Sequence, residues 1–549
     1  MCRLIAAALL AGLSAPAFAA ATDDDALLAY VRARAADVAG APDEATSRYA
    51  AALTLSPGND ILAGRALAQA VAAGDEALAL RAARELPAAS LPPEAKILLA
   101  GDALKRRDWA AADAAIARLD GDDVFAFAAP ILRAWVAVGS GRGDPIALLD
   151  SAKASAPGGL YAPEQKGLIL LALGRAQEGI AALQPLIGDG GVHSARLRVA
   201  AAALLAARGD RAGAEAMLQG SNVILARARQ ILAANKRLPG AIETPAAGAA
   251  DFLTRIAVDL NAQQVPQVAL SFGRIATFLD PQNSEAWLLT AELLGARGQP
   301  DAALAALGHV GADDPLGDNA ADRRLVILAD AGRKSEAVAL ARAETAKDPK
   351  SLEAWLRLGD ALTQSEDYAG AGDAYGRALA LNGDGIGTGH PRWTLLLLQG
   401  NVLTQAGKWP GAKAALEEAY RLAPHEAVVL NYLGYSELER RQNVDQAERL
   451  IREASNLQPD DAAITDSLGW ALYVKGDLPH AIELLEKAAQ GQPADASINE
   501  HLGDAYYAAG RHFEARYAWR AALPYAEGKA EARLRAKIDQ GLKPDLTAP

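Results

Sequence analysis

The sequence predicts an all-α chain, an α-α superhelix or solenoid of stacked antiparallel helix pairs, and three observations predict it. Prolines recur at one interval: Pro281, Pro315 and Pro349 stand 34 residues apart, and Pro459 and Pro493 repeat that spacing. Small residues recur at fixed distances before them. Gly469, Ala481 and Ala488 precede Pro493 by 24, 12 and 5 residues, and Gly400, Ala412 and Ala419 precede Pro424 by the same distances. Composition is the third observation: 51% of the 549 residues are hydrophobic but only 5% are aromatic, so Ala and Leu dominate. That mixture, with 27 Pro and 49 Gly, suits short helices punctuated by turns. No sustained alternation of Val, Ile, Thr and aromatics bounded by hairpin dipeptides argues for strands. One helix pair of about 34 residues cannot bury its apolar face alone, so neighbouring pairs must stack on it.

The first residues stand apart. Arg3 supplies a positive start, Leu4 to Leu13 an apolar stretch, and Ala17-Phe18-Ala19 a small-x-small cleavage site, the three parts of a secretory signal peptide over 1–19. The competing reading is a buried N-terminal helix. The apolar stretch is short for a permanent span, which needs roughly 20 apolar residues, so the expectation is an exported protein with no permanent membrane span. Cys2 is the single cysteine, and it precedes the apolar run. Cleavage would leave none, which excludes disulfides and thiolate metal sites from the mature chain.

At this length the chain exceeds a single core, and the repeats organise it. Ala26 to Pro57 fits one pair, with Ala45, Tyr49 and Ala52 in the expected places. Between Ile61 and Gln219 the spacing drifts, and pairs are suggested by Gly64 with Leu67, Gly101 with Leu104, Gly167 with Leu171 and the run AARGDRAGAEAML. The stretch LPGAIETPAAG marks a break near 239–245, which separates a degenerate helical block, 26–238, from a regular one, 250–525. In the regular block Ser284 to Pro315 carries Trp287, Ala291, Leu294, Ala303 and Leu307. The next pair is weaker but keeps Leu328, Ala337 and Ala341; then come Trp355, Leu358, Gly359, Leu362, Ala371, Tyr375 and Ala378, with Gly383 where proline is due. Gly383 to Pro391 is a glycine-rich insertion. The pair ending at Pro459 is one residue over period, and the extra residue is expected in the turn at Arg441 to Asn443. In the clearest pair Leu468, Gly469 and Leu472 face Ala481, Leu485 and Ala488, with Gly476-Asp477 at the turn. The last pair holds Leu502, Gly503, Tyr506, Ala515, Trp519 and Ala522, and the charged run 529–540 is suited to cap the array.

The run from Trp355 to Ala378 resembles the tetratricopeptide (TPR) consensus W-x2-LG-x2-Y, A-x3-F, A, P, with Leu362 for the first Tyr and Tyr375 for Phe. The resemblance is clear over 250–525 and weaker over 26–220. It implies a TPR solenoid and a protein-binding role, since the motif residues are packing residues. NYLGYSELERR, ITDSLGWALYVKGDLPHAIELLEKA and INEHLGDAYYAAGRHFEARYAWRAAL are similar to the C-terminal repeats of exported bacterial cell-envelope TPR proteins. These include repeat lipoproteins that act as adaptors of carboxy-terminal-processing proteases and murein hydrolases. The chain departs from those lipoproteins in having no cysteine after the apolar run.

In this fold the first helices of successive pairs line a concave groove. With Gly434, Gly469 and Gly503 as equivalent positions, offsets of −3, +1 and +4 select Asn431, Tyr435 and Leu438, then Asp466, Trp470 and Tyr473, then Glu500, Asp504 and Tyr507. Tyr435, Trp470, Tyr473 and Tyr507 are not aromatics that the packing consensus requires. Clustered rings with polar tips suit a binding groove; rings packed on the adjacent repeat are the other reading, and both stay open. Asp466, Glu500 and Asp504 would favour a basic or neutral segment in such a groove.

Catalysis has little support. The seven histidines form no HExxH or other metal spacing, and the nearest approach, Glu500-His501 with His512, is more simply a turn-facing His512. The glycines of 383–391 lack a preceding strand and a GK[ST] ending, and no nucleophile elbow occurs. A net charge of −12 argues against nucleic acid. The expectation is a non-catalytic periplasmic scaffold or adaptor, outer-membrane association left open. It has no cofactor and no metal, and it binds protein partners such as an envelope protease or peptidoglycan hydrolase. Homo-oligomers through the irregular N-terminal half also stay open. The alternatives are a TPR module of an exopolysaccharide or outer-membrane export apparatus, and an enzyme with its site within 61–245, for which no constellation speaks.

Overall fold

The computed structural model describes residues 23–121, 124–152, 156–188, 191–385 and 389–549; the expected signal peptide lies outside them. Among the described residues every regular element is helical, thirty α-helices with a few single-turn 3-10 helices between them, and there is no strand. None of these helices is long and apolar enough to cross a membrane.

Each pair is built as Ala462–Lys475 and Leu478–Gly491 are. The Asp461 carboxylate accepts the Ile464 amide at 3.0 Å and starts the first helix, and Gly476, at φ +85°, ends it by donating to carbonyls of the last turn. The second helix then returns against the first. A Cβ on Gly469 would stand 2.8 Å from Leu485 Cγ, and one on Gly503 2.4 Å from the Trp519 ring, so only glycine permits these approaches. The repeating proline has its own reason. Trp287 Nε1 donates to the Pro281 carbonyl at 2.9 Å and Trp355 Nε1 to that of Pro349 at 3.0 Å. Asn499 Nδ2 does the same to Pro493 at 3.1 Å. A donor six residues after the proline thus ties the inter-pair turn to the helix that follows it.

The interruptions of the period are taken up in turns. Arg441 and Asn443, at φ +53° and +46°, absorb the extra residue between Ala427–Leu438 and Val444–Leu457. After Tyr368–Asn382, Gly383 turns at φ +60°, and Asn382 Nδ2 donates to the His390 carbonyl at 3.0 Å across the glycine-rich insertion. Residues 386–388 of that insertion lie outside the described part.

The chain forms two compact units, one up to Ile327 and one from Leu328. The first contains the irregular stretch 239–245, and it includes Pro245–Ala262 and Pro266–Leu279, which the period assigns to the regular block. These two helices are buried along most of their length and pack against Asp60–Ala73, Pro93–Lys105 and Ala129–Ser140, the first helices of three earlier pairs. The interior contacts are specific. The Phe125 and Phe272 rings lie 4.7 Å apart, Gly248 leaves room for the Trp135 ring, and Lys105 Nζ donates to the Phe278 carbonyl at 2.7 Å. These contacts bridge 147, 113 and 173 residues of sequence respectively (272 − 125, 248 − 135 and 278 − 105), distances over which a 34-residue period carries no information.

The second unit stacks its pairs regularly up to Ala496–Ala508 and His512–Ala522. Gly528–Gln540 follows, at the place expected of the capping helix, and sets Leu534 into one apolar cluster with Ala515, Trp519 and Ala522.

Candidate partner-binding face

Three first helices of the second unit, Ala427–Leu438, Ala462–Lys475 and Ala496–Ala508, carry the nine residues selected from the sequence. Leu438 is fully buried, and the other eight are covered to different degrees. Trp470 and Asp504 are fully buried, and Asp466 and Glu500 nearly so, whereas Asn431, Tyr435, Tyr473 and Tyr507 are half-buried.

The aromatic part is an inter-repeat stack. Trp470 lies flat between Tyr473, with ring centroids 4.5 Å apart, and His501 of the next first helix, at 4.2 Å. Tyr435 stands 6.4 Å from the same imidazole. Trp470 therefore packs on the adjacent repeat, while one edge of the stack remains accessible at Tyr435 and Tyr473. Burial raises the phenol pKa of both tyrosines, and nearby Asp466 and Asp504 respectively add to it, so each keeps its proton and can donate a hydrogen bond. The Asn431 side-chain carbonyl is buried with no hydrogen-bond partner among the described residues.

The acidic part is a ladder of carboxylates, each facing a cation. His501 Nδ1 lies 2.9 and 3.0 Å from the two Asp466 oxygens. Burial opposes a charge on His501, but Asp466 in contact, with Asp504 and Glu500 nearby, prevails and raises its pKa. Arg533 grips Glu500 with Nε and Nη2, both at 2.7 Å, and Lys537 Nζ reaches Glu500 at 2.6 Å and both Asp504 oxygens at 2.8 Å. Burial alone would push Glu500 up; Arg533 and Lys537 outweigh it and hold the carboxyl below its usual value. For Asp504 burial wins over Lys537 and the pKa is raised.

The chain itself lies on this face. Past the Gly528–Gln540 helix, Gly541 at φ +82° packs against the Tyr507 hydroxyl, where any Cβ would clash at 2.4 Å. Leu542 joins the Trp519 cluster. The Ala548 amide then donates to Asp504 Oδ2 at 2.8 Å, and Ala548 is buried in the cluster that contains Trp470 and Leu438. Trp519 Nε1 donates to the other Asp504 oxygen at 2.9 Å. Arg533, Lys537 and Ala548 were not legible as part of this face. The one available sign is that Arg533 and Lys537 stand four apart, on one side of a helix. His501 and His512, weighed together from the sequence, have different neighbours: Asp466 with Trp470, and Tyr507 at 4.3 Å. No group of three or more metal-ligating side chains occurs among the described residues.

A second charged cluster, which the sequence did not suggest, lies in the first unit. Arg196 contacts Glu164, Asp251 Oδ1 at 2.5 Å and Glu285 at 3.0 Å, and His193 adds a contact to Glu164 at 3.2 Å. Trp135 Nε1 donates to Gln165 and Gln165 to Asp251, both at 2.9 Å. Burial would raise Glu164, but Arg196 and His193 bring it down to about 2; Asp251 and Glu285 are raised by burial. The cluster ties Ala156–Ala172, Val192–Ala207, Pro245–Ala262 and Ser284–Ala296 together, while Arg196 Nε, 3.0 Å from Glu285, is buried without a hydrogen-bond partner among the described residues.

The tetratricopeptide-repeat family model matches residues 326–386, 397–462, 436–496 and 467–532. This part of the chain carries tetratricopeptide repeats. A TPR repeat-containing protein of Pseudomonas aeruginosa is 30% identical over 160 residues, 29% of this chain, and the chain spans about a quarter (26%) of that relative's length. Among solved structures, a TPR protein from Parabacteroides merdae is 15% identical, with a TM-score of 0.39 over 47% of this chain and 98% of its own. Yeast Tom70 is 13% identical, with a TM-score of 0.37 over 94% and 96%. The TPR matches cover the residues selected from the sequence, with the packing glycines Gly434, Gly469 and Gly503, and end at 532, before Arg533, Lys537 and Ala548.

Proposed function

We propose that the chain is a non-catalytic scaffold of the bacterial periplasm that binds envelope proteins through the face formed by Tyr435, Asp466, Trp470, Tyr473, Glu500, Asp504, Tyr507 and Asn431. TPR repeats are protein-binding scaffolds, and one observation carries the choice of this face. The C-terminal segment, residues 541–549, which makes one 3-10 turn at Pro544–Leu546, already lies on it, with a backbone amide on Asp504 and the Ala548 methyl in the apolar cluster of Trp470. A surface that takes one segment by a backbone amide and a small side chain has the chemistry to take another. Freed of Arg533 and Lys537, Glu500 and Asp504 would favour a basic or neutral segment.

The location rests on the tripartite start of the sequence, and the partner class, a protease or a peptidoglycan hydrolase, on the likeness to envelope TPR adaptors. Affinity purification of the tagged chain from crosslinked envelope extracts tests both. An envelope enzyme should be recovered with the wild type and lost with Y435A/Y473A, which removes two half-buried rings and leaves the repeats helical by circular dichroism. Recovery of no envelope protein, or recovery that the double substitution leaves undiminished, would sink the reading.

A further inference from the structure

The face just described is occupied by its own chain, and the manner of occupation specifies what else would fit. Arg533 and Lys537 bring two cations to Glu500 and Asp504, and Lys537 is fully buried between them. Gly541 then turns the chain across the Tyr507 hydroxyl, and Ala548 reaches Asp504 through its amide. Between these points Lys543, Pro544 and Asp545 are exposed, so residues 541–549 are held at their two ends and not along their length.

We infer that the Glu500–Asp504 surface is a receptor for a basic segment ending in small residues, that residues 528–549 are its resident occupant, and that a partner segment of that chemistry and the resident exclude each other. The inference rests on the reading that this face holds partners, and deepens it by naming the competitor.

The physical ground is exchange. Taking two carboxylates and a lysine out of water is costly, and the mutual attraction of a buried pair roughly offsets that cost. The resident is therefore not held by a large surplus at Lys537. Simple departure would leave Glu500 and Asp504 without counter-charges in a surface lined by Trp470, Tyr473 and Trp519, so an empty face is unfavourable. Replacement by an incoming Lys or Arg conserves the charge pairs, and the Asp504 oxygen that accepts the Ala548 amide can accept another backbone amide. The resident's apolar anchors are Leu534, Ile538 and Leu542 in the Trp519 cluster and the Ala548 methyl in that of Trp470, so a displacing segment must bring an apolar helix face as well as its cations.

A labelled peptide with the sequence of residues 528–549 is the probe, titrated by fluorescence anisotropy against the full chain. Two full-length variants release the resident in different ways. R533E/K537E places like charges opposite Glu500 and Asp504, and A548D puts a carboxylate beside Asp504 without altering the Gly528–Gln540 helix. Both should bind the peptide at least ten-fold more tightly than the wild type. D504N added to A548D should remove at least ten-fold of that gain. Equal affinity of the peptide for wild type, R533E/K537E and A548D, including no binding to any of them, would overturn the inference. The scaffold reading fails separately, if the envelope enzyme is retained in full by Y435A/Y473A whatever the peptide does.

Discussion

His501 concentrates the electrostatics of the face in one side chain. It is flat on Trp470, pairs with Asp466, and is also faced by Glu500, Asp504 and Glu439, with Arg533 and Lys537 as the cations on the covering helix. Its folded pKa lies above the ordinary 6.5 because the carboxylates outweigh burial. A raised folded pKa means that the contribution to stability is full below about 6.5 and is lost as pH rises through the folded value. The second unit should therefore lose stability on going from mildly acidic to mildly alkaline pH, and H501Q should flatten that slope. Denaturant midpoints of wild type and variant at several pH values check this; parallel slopes would contradict it. Trp519 shows what else single residues settle. The Gly503 position lies 2.4 Å from its ring for any Cβ, and the ring is fully buried. G503A should cost about 2 kcal/mol, in the range of overpacked cores, read as a lowered urea midpoint at unchanged m.

At the scale of elements, the helix pairs are nearly interchangeable and their exceptions carry the information. Pro245–Ala262 and Pro266–Leu279 obey the pair rule, yet they are buried along most of their length, because they lie against the first helices of three earlier pairs. Arg196 pins one of them through Asp251. R196A would leave Glu164, Asp251 and Glu285 as neighbouring carboxylates with one cation removed, a loss of about 3 to 5 kcal/mol by the measure of broken buried pairs. Thermal unfolding followed by helicity should show it, and a change within error would mean that water already screens the cluster. The Gly528–Gln540 helix is the second exception: it caps the array through Leu534 and also delivers Arg533 and Lys537 to the face.

The whole molecule divides into two units with separate internal packing. Unfolding should accordingly depart from a single two-state transition. R196A should move only the component of the first unit, and G503A only that of the second. Coincident shifts of the full transition by both substitutions would show that the units unfold together.

How far the sequence reached follows from the range of its signals. Helix identity, the pair turns at Gly476 and Gly383, the extra residue at Arg441 to Asn443 and the close approaches at Gly469 and Gly503 are local, set by residues within one or two repeats, and a period of 34 exposes them. The same logic picked residues at equivalent offsets of three first helices, of which the structure links Tyr435, Asp466 and Trp470 through His501 and Glu500 and Asp504 through Lys537. It could not decide between groove and packing for Trp470, because that depends on His501 arriving from the next helix. Nor could it anticipate that residues 533–548 return to Glu500 and Asp504, or that Pro245–Leu279 closes on helices between 113 (248 − 135) and 202 residues earlier. Repetition determined the solenoid; which of its faces stays open was decided only in three dimensions, by contacts between segments whose separation in sequence bears no relation to the repeat.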